Sequence, residues 1–110
     1  MQVVVGHANP DFDAYAATIA ATKLYPGAHG VFLGTQNANV RAFHNLHEDF
    51  LDFVDLKGLD LKAIERIILV DTREADRVGE FRSVALDPAV EVIVYDHHPP
   101  ADGDLKGVDD

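Results

Sequence analysis

Three short runs of aliphatic residues constrain this chain more than anything else in it: Gln2–Gly6 (QVVVG), Arg66–Val70 (RIILV) and Val90–Tyr95 (VEVIVY). Each is five or six residues long and rich in Val or Ile. Such continuous apolar runs fit strands buried on both faces, as inside a parallel sheet. The segments between them read differently. Asp13–Leu24 is Ala-rich, lacks Gly and Pro, and predicts a helix that Pro26-Gly27 stops. Val31–Leu33 is a further strand candidate, ended by Gly34. Asn39–Leu51 predicts a second helix, with Val40, Phe43, Leu46, His47 and Phe50 at helical spacing. Phe53-Val54 reads as extended, Leu59–Glu65 as one or two helical turns, and Arg73–Arg82 as polar and partly helical. Strands separated by helical stretches imply an α/β fold, a Rossmann-like parallel sheet with helices on both faces and right-handed crossovers. Pro100–Asp110, with two Gly and four Asp, reads as a loop.

A chain of 110 residues can bury one core. It has no Cys, which excludes disulfides, thiolate metal sites and Cys nucleophiles. No apolar run approaches the ~20 residues that span a bilayer, and no signal-peptide core is visible, so the cytoplasm is the expected compartment and no membrane partner is expected. Nineteen acids against nine Lys and Arg give a net charge of -10, a poor basis for holding long nucleic-acid duplexes. The charge is uneven: residues 1–40 hold Asp11, Asp13 and Lys23, whereas residues 41–110 hold seventeen acids and eight bases. Most of these acids belong to a solvated surface, and a few suit divalent cations. The nucleophile-elbow, P-loop and dinucleotide-fingerprint patterns are all missing.

The residues just beyond each strong strand are more specific. After the first comes His7-Ala8-Asn9-Pro10-Asp11-Phe12-Asp13, after RIILV comes Asp71-Thr72, and after VEVIVY comes Asp96-His97-His98-Pro99. In an open parallel sheet the carboxyl ends of the strands share one edge, where ligands bind, so three segments distant in sequence are expected to converge. Imidazole and carboxylate donors suit Mn2+, Mg2+, Fe2+, Co2+ or Zn2+. Seven such side chains are too many for one ion and about right for two, with Asp71 as the natural bridge. Each piece alone has a plainer reading. Asp11 or Asp13 beside Pro10 suits a helix N-cap, and Asp71-Thr72 an ordinary strand exit. Adjacent histidines after a buried strand are costly to bury and rarely idle. His44 and His47 are read as a solvated or packing face, and His29 as a turn residue without a role.

These motifs, His7-Ala8-Asn9-Pro10-Asp11-Phe12-Asp13-Ala14, Val70-Asp71-Thr72-Arg73 and Asp96-His97-His98-Pro99, resemble in order the first three motifs of the DHH phosphoesterases. Those include RecJ-type exonucleases, nanoRNases, exopolyphosphatases and family II inorganic pyrophosphatases. Lys23-Leu24-Tyr25-Pro26-Gly27-Ala28, Val31-Phe32-Leu33-Gly34-Thr35-Gln36 and Asn39-Val40-Arg41 are further similar to one subgroup. In it a DHH domain precedes CBS domains and a poly(A) polymerase/tRNA nucleotidyltransferase module. The resemblance implies two divalent ions, Mn2+ foremost and Mg2+ or Co2+ as alternatives. His7 and Asp11 would bind one ion, Asp13 and His97 the other, and Asp71 both. His98 would contact the phosphate or act as an acid, and Asp96 would orient the histidines. The expected substrate is a small phosphoester or short oligonucleotide, and a parent protein would act on tRNA or RNA through other domains. The family has a further Asp ligand and a substrate-capping domain downstream, so residues 1–110 are expected to be the N-terminal part of a DHH domain. The competing expectation is a regulatory or structural module of a tRNA nucleotidyltransferase-like protein. Arg73 is a weaker candidate for a phosphate contact.

Overall fold

The structure, a computed structural model, describes residues 1–6, 12–33, 38–47, 51–72, 77–95 and 108–109. The three apolar runs become neighbouring parallel strands, β1 (Gln2–Val5), β3 (Arg66–Val70) and β4 (Glu91–Tyr95). β2 (Ala28–Val31) lies outside β1 and β5 (Val108–Asp109) outside β4, giving a five-stranded parallel sheet in the order β2-β1-β3-β4-β5. Gln2 pairs with Arg66 and Val5 with Leu69; Arg66 pairs with Glu91 and Val70 with Tyr95. Alternate side chains feed two cores. Val3, Val5, Ile67, Leu69 and Val94 meet Phe81 and Val84 on one face. Val4, Ile68, Val70 and Ile93 meet Ala21 on the other. Val3, Val4, Val5, Ile67, Ile68 and Leu69 are all 0% exposed. Burying a side chain of this size fully contributes about 1.5–3 kcal/mol, which is why these six positions are aliphatic while Gln2, Arg66 and Glu91 stand at the less buried starts of the strands.

The helices take both faces. α1 (Phe12–Leu24) lays Ala14 and Ala21 against the sheet, and these small side chains let the helix approach closely. Thr18 is buried with them; its hydroxyl donates to the Ala14 carbonyl at 2.8 Å, so no polar group is left unsatisfied there. Gly27, at φ 92°, closes the turn into β2. A 3-10 turn (Gly79–Phe81) runs into the short helix α3 (Arg82–Ala85) and covers the opposite face with Phe81 and Val84. Another 3-10 turn, Leu61–Ala63, begins at Asp60, whose carboxylate accepts from the Lys62 amide at 3.0 Å.

Several expectations need correction. β2 spans Ala28–Val31 instead of Val31–Leu33, so His29 lies in a strand, not a turn, with its Nδ1 2.5 Å from Asp52 Oδ1. Ala, His and Gly are weak strand formers, and pairing with β1 overrides that preference. The second helix is α2 (Ala38–His47), and Leu51 lies beyond it. Of its helically spaced apolar residues only Val40 is buried; Phe43 is 40% and Leu46 78% exposed, and Phe50 lies outside the described residues. In Pro100–Asp110, read as a loop, Val108 and Asp109 add a strand to β4.

The outer edge of β2 is covered by residues 51–54. The Gly30 amide donates to the Asp52 carbonyl at 2.8 Å, and the Val54 amide donates back to the Gly30 carbonyl at 2.9 Å. The Phe53 ring lies directly over Gly30, where a Cβ would stand 2.7–2.9 Å from three ring carbons. That ring cannot easily retreat, because it stacks on Phe32 at 4.8 Å and meets His44 at 4.9 Å. Gly30→Ala is therefore expected to lower stability by about 1–3 kcal/mol in urea denaturation, with the loss coming from overpacking. Tyr15, 1% exposed, belongs to the same cluster and bonds His44 Nδ1 through its hydroxyl at 3.1 Å. Burial pushes its ionisation above the ordinary value of about 10. The folded phenol thus keeps its proton after the unfolded chain starts to lose it, and stability falls as pH rises through about 10. Tyr15→Phe is expected to flatten the decline in unfolding free energy between about pH 9 and 11.

Candidate functional site

The strand order decides where a ligand can sit. After β1 the chain adds β2 on one side, then returns to add β3 on the other. The connection leaving β1 enters α1, over the face of Val4, Ile68 and Val70. The connection leaving β3 leads to Phe81 and Val84, over the face of Val5 and Leu69. Neighbouring strands whose exits part to opposite faces leave a crevice at their carboxyl ends, the switch point of an open parallel sheet. β4 ends beside β3, with Tyr95 opposite Val70, so all three motif-bearing strands finish at this edge.

Two details define the crevice floor. Gly6 directly follows β1, and a Cβ built there would lie 3.5 Å from the Val70 carbonyl oxygen and 3.8 Å from Ala14 Cβ. The end of β1, the end of β3 and the start of α1 therefore touch. Asp71 directly follows β3. Its amide donates to the Tyr95 carbonyl at 2.9 Å, extending the ladder to β4 by one bond. Its backbone then turns left-handed, at φ 58°, as no other non-glycine residue does among those described. Asp accepts this conformation more readily than β-branched residues, but still at a cost. A strained residue fixed to its neighbour strand, next to the crevice, has the character of a functional position. Asp71 is half-buried, and Thr72 behind it is 2% exposed.

Of the expected site residues, Asp71 stands at the crevice and Asp13 lies in the first turn of α1, one residue before Ala14. His7, Asp11, Asp96, His97 and His98 lie outside the described residues, as does Arg73. Gly6 precedes His7 and Tyr95 precedes Asp96, so the described strands end at one edge directly before these motifs in sequence. The expected donors, imidazole and carboxylate without thiolate, would suit a divalent ion such as Mn2+; among the described residues no group of three His, Asp or Glu stands together. Tyr15 carries no mark in the sequence that would single it out. It ties α1 to α2 through His44, two residues beyond Asp13. His44 packs edge-on to Phe32 at 5.0 Å, in keeping with a packing face. No helix among the described residues is long and apolar enough to cross a membrane.

Fold and crevice define an open parallel α/β domain of the switch-point class. The chain belongs to the DHH family, whose N-terminal domain matches residues 2–108. It is 43% identical over 107 residues, 96% of its length, to the A-adding tRNA nucleotidyltransferase of Geobacter sulfurreducens, and spans 12% of that protein. Among solved structures it is similar to an exopolyphosphatase-related protein from Bacteroides fragilis. The TM-score is 0.67, over 98% of this chain and 34% of that one, at 18% identity, which is a likeness of fold.

The left-handed backbone at Asp71 separates its structural from its chemical role. Asp71→Asn and Asp71→Gly are expected to stay within about 1 kcal/mol of the parent in thermal unfolding, because both residues accept positive φ. Asp71→Val is expected to lose about 1–2 kcal/mol or more.

Proposed function

We propose that this domain is a metal-dependent phosphoesterase acting on a small phosphoester or short oligonucleotide. The observation that supports it most is the strand order, which gives the three motif-bearing strands a common edge at the β1/β3 switch point. In this reading His7 and Asp11 would hold one divalent ion, Asp13 and His97 a second, and Asp71 would serve both. The ions, Mn2+ foremost, with Mg2+ or Co2+ as alternatives, supply Lewis acidity and a water of lowered pKa. His98 would contact the phosphoryl group or act as an acid toward the departing oxygen. Asp96 orients the two histidines through hydrogen bonds from behind. Asp71 is suited to its shared position because its backbone is tied to β4, so its carboxylate starts from a fixed point. The net charge of -10 leaves a phosphate little attraction apart from bound cations, which favours small substrates over long duplexes.

A second reading has its own support. The likeness to an A-adding tRNA nucleotidyltransferase covers 12% of that protein, so the domain can equally serve a longer, cytoplasmic chain as a regulatory or structural module. Such a chain would carry CBS domains and act on tRNA or RNA through a nucleotidyltransferase module. Turnover decides between the two. In the full-length protein, Mn2+-dependent hydrolysis of short oligonucleotides or cyclic dinucleotides is expected, and Asp71→Asn is expected to reduce it about 100-fold or more. Hydrolysis unchanged by Asp71→Asn would reject the shared-ligand role. No hydrolysis by the parent protein would favour the module.

A further inference from the structure

We propose that the outward surface of α2 is a track for single-stranded nucleic acid, leading to the carboxyl edge of the sheet. This deepens the phosphoesterase reading and rests on it for the chemistry at that edge. From Ala14 to His47 the chain has no Asp or Glu, although it carries nineteen acids in all. That stretch supplies β2, α2 and nearly all of α1, elements short of carboxylates in an acidic molecule, and the exposed Asp52 that bonds His29 borders it at the outer edge of β2. Its cations, Lys23 and Arg41, are exposed, and Arg41 makes no ion pair among the described residues.

α2 also offers a flat surface to a base. Phe43 and His47, one turn apart, stack with ring centroids 4.2 Å apart at 22°. His47 Nδ1 lies 2.9 Å from the Phe43 carbonyl oxygen, so the ring donates its proton there and is held in place before a ligand arrives. Phe43 is 40% exposed, and Leu46 extends the apolar surface at 78%. Asn45 is exposed on the same helix and adds an amide donor and acceptor. The stacked rings stand on one side of α2 and the Arg41 cation about half a turn round it, and rings, amide and cation are the elements that hold single strands with little sequence preference. A stable protein interface would need about 800 Å² per partner, with an apolar centre. Two exposed large apolar side chains ringed by polar ones do not provide that.

The track has a direction. α2 follows β2, so its N-terminus lies toward the carboxyl edge, and the positive end of the helix dipole is there. The first acid after the stretch in sequence is Glu48. An anionic strand is therefore drawn along ten residues, about 15 Å, toward the crevice.

The test uses the full-length protein and a single-stranded RNA of about seven nucleotides. Binding is read by fluorescence anisotropy in EDTA, so that it does not depend on metal or turnover. The parent protein is expected to bind, with affinity falling as salt rises. Arg41→Glu and His47→Ala are each expected to weaken binding about tenfold. With Mn2+, both variants should raise KM for the longer strand and leave kcat and dinucleotide hydrolysis unchanged. Arg41 is exposed, so its variant keeps the fold if His47→Ala does not. No RNA binding by the parent, or equal binding by Arg41→Glu and His47→Ala, overturns the track. Self-association lost in His47→Ala with RNA binding intact would assign the surface to a second copy and overturn it too. Binding that depends on both residues, without hydrolysis of any phosphoester, upholds the track and refutes the hydrolase reading.

Discussion

The parallel pairing of β1 with β3 is the constraint on which the rest of the structure depends. Four residue pairs, from Gln2 and Arg66 to Val5 and Leu69, join segments more than sixty residues apart. Both strands are sealed on both faces, so the pairing has no slack: a slip of one residue would exchange the two cores. Because β2 is placed on the far side of β1, the pairing also creates the switch point. The crevice is thus not an addition to the fold. It is the space left at the carboxyl edge when two adjacent buried strands send their connections to opposite faces.

That pairing explains why some elements are legible in the sequence and others are not. β3 spans the residues its apolar run marks, and β1 and β4 differ from theirs by one terminal residue. Their side chains alone demand burial on both sides. β2 begins three residues before the strand that the sequence suggests, because its segment, AHGV, has little strand preference of its own. It is a strand because β1 offers an open edge on one side and residues 51–54 close the other. β5 is two residues in a Gly- and Asp-rich tail and owes its form to β4 alone. The face of α2 departs from expectation for a different reason. Helical spacing groups Val40, Phe43, Leu46 and His47, but spacing does not say how wide a stripe the neighbours can cover. Here they cover Val40 and part of His44, and Phe43 and Leu46 remain outside.

The site is legible to a different depth. That metal-type residues follow each strong strand is plain in the sequence, and parallel order is enough to bring the strand ends together. The left-handed turn at Asp71 is not legible, because Asp-Thr after a strand carries no local mark of positive φ. Nor is the contact between Tyr15 and His44, which depends on how α1 and α2 settle on each other. Assigning each ligand to one ion comes from family resemblance; strand order alone leaves it open.

Charge joins the crevice to the surface around it. A phosphoester approaching a chain of net charge -10 meets repulsion from most directions. Two features lessen it. Divalent ions at the crevice would neutralise carboxylates where the reacting phosphate must sit, so the same acids that repel a phosphate without metal would hold it with metal. Away from the crevice, α2 carries no carboxylate and leaves one approach less acidic than the rest. On the proposed reading, metal occupancy would govern chemistry and the local sign of the field together. Substrate affinity in such a domain should depend on metal for the phosphate at the edge, and on α2 for whatever trails behind it.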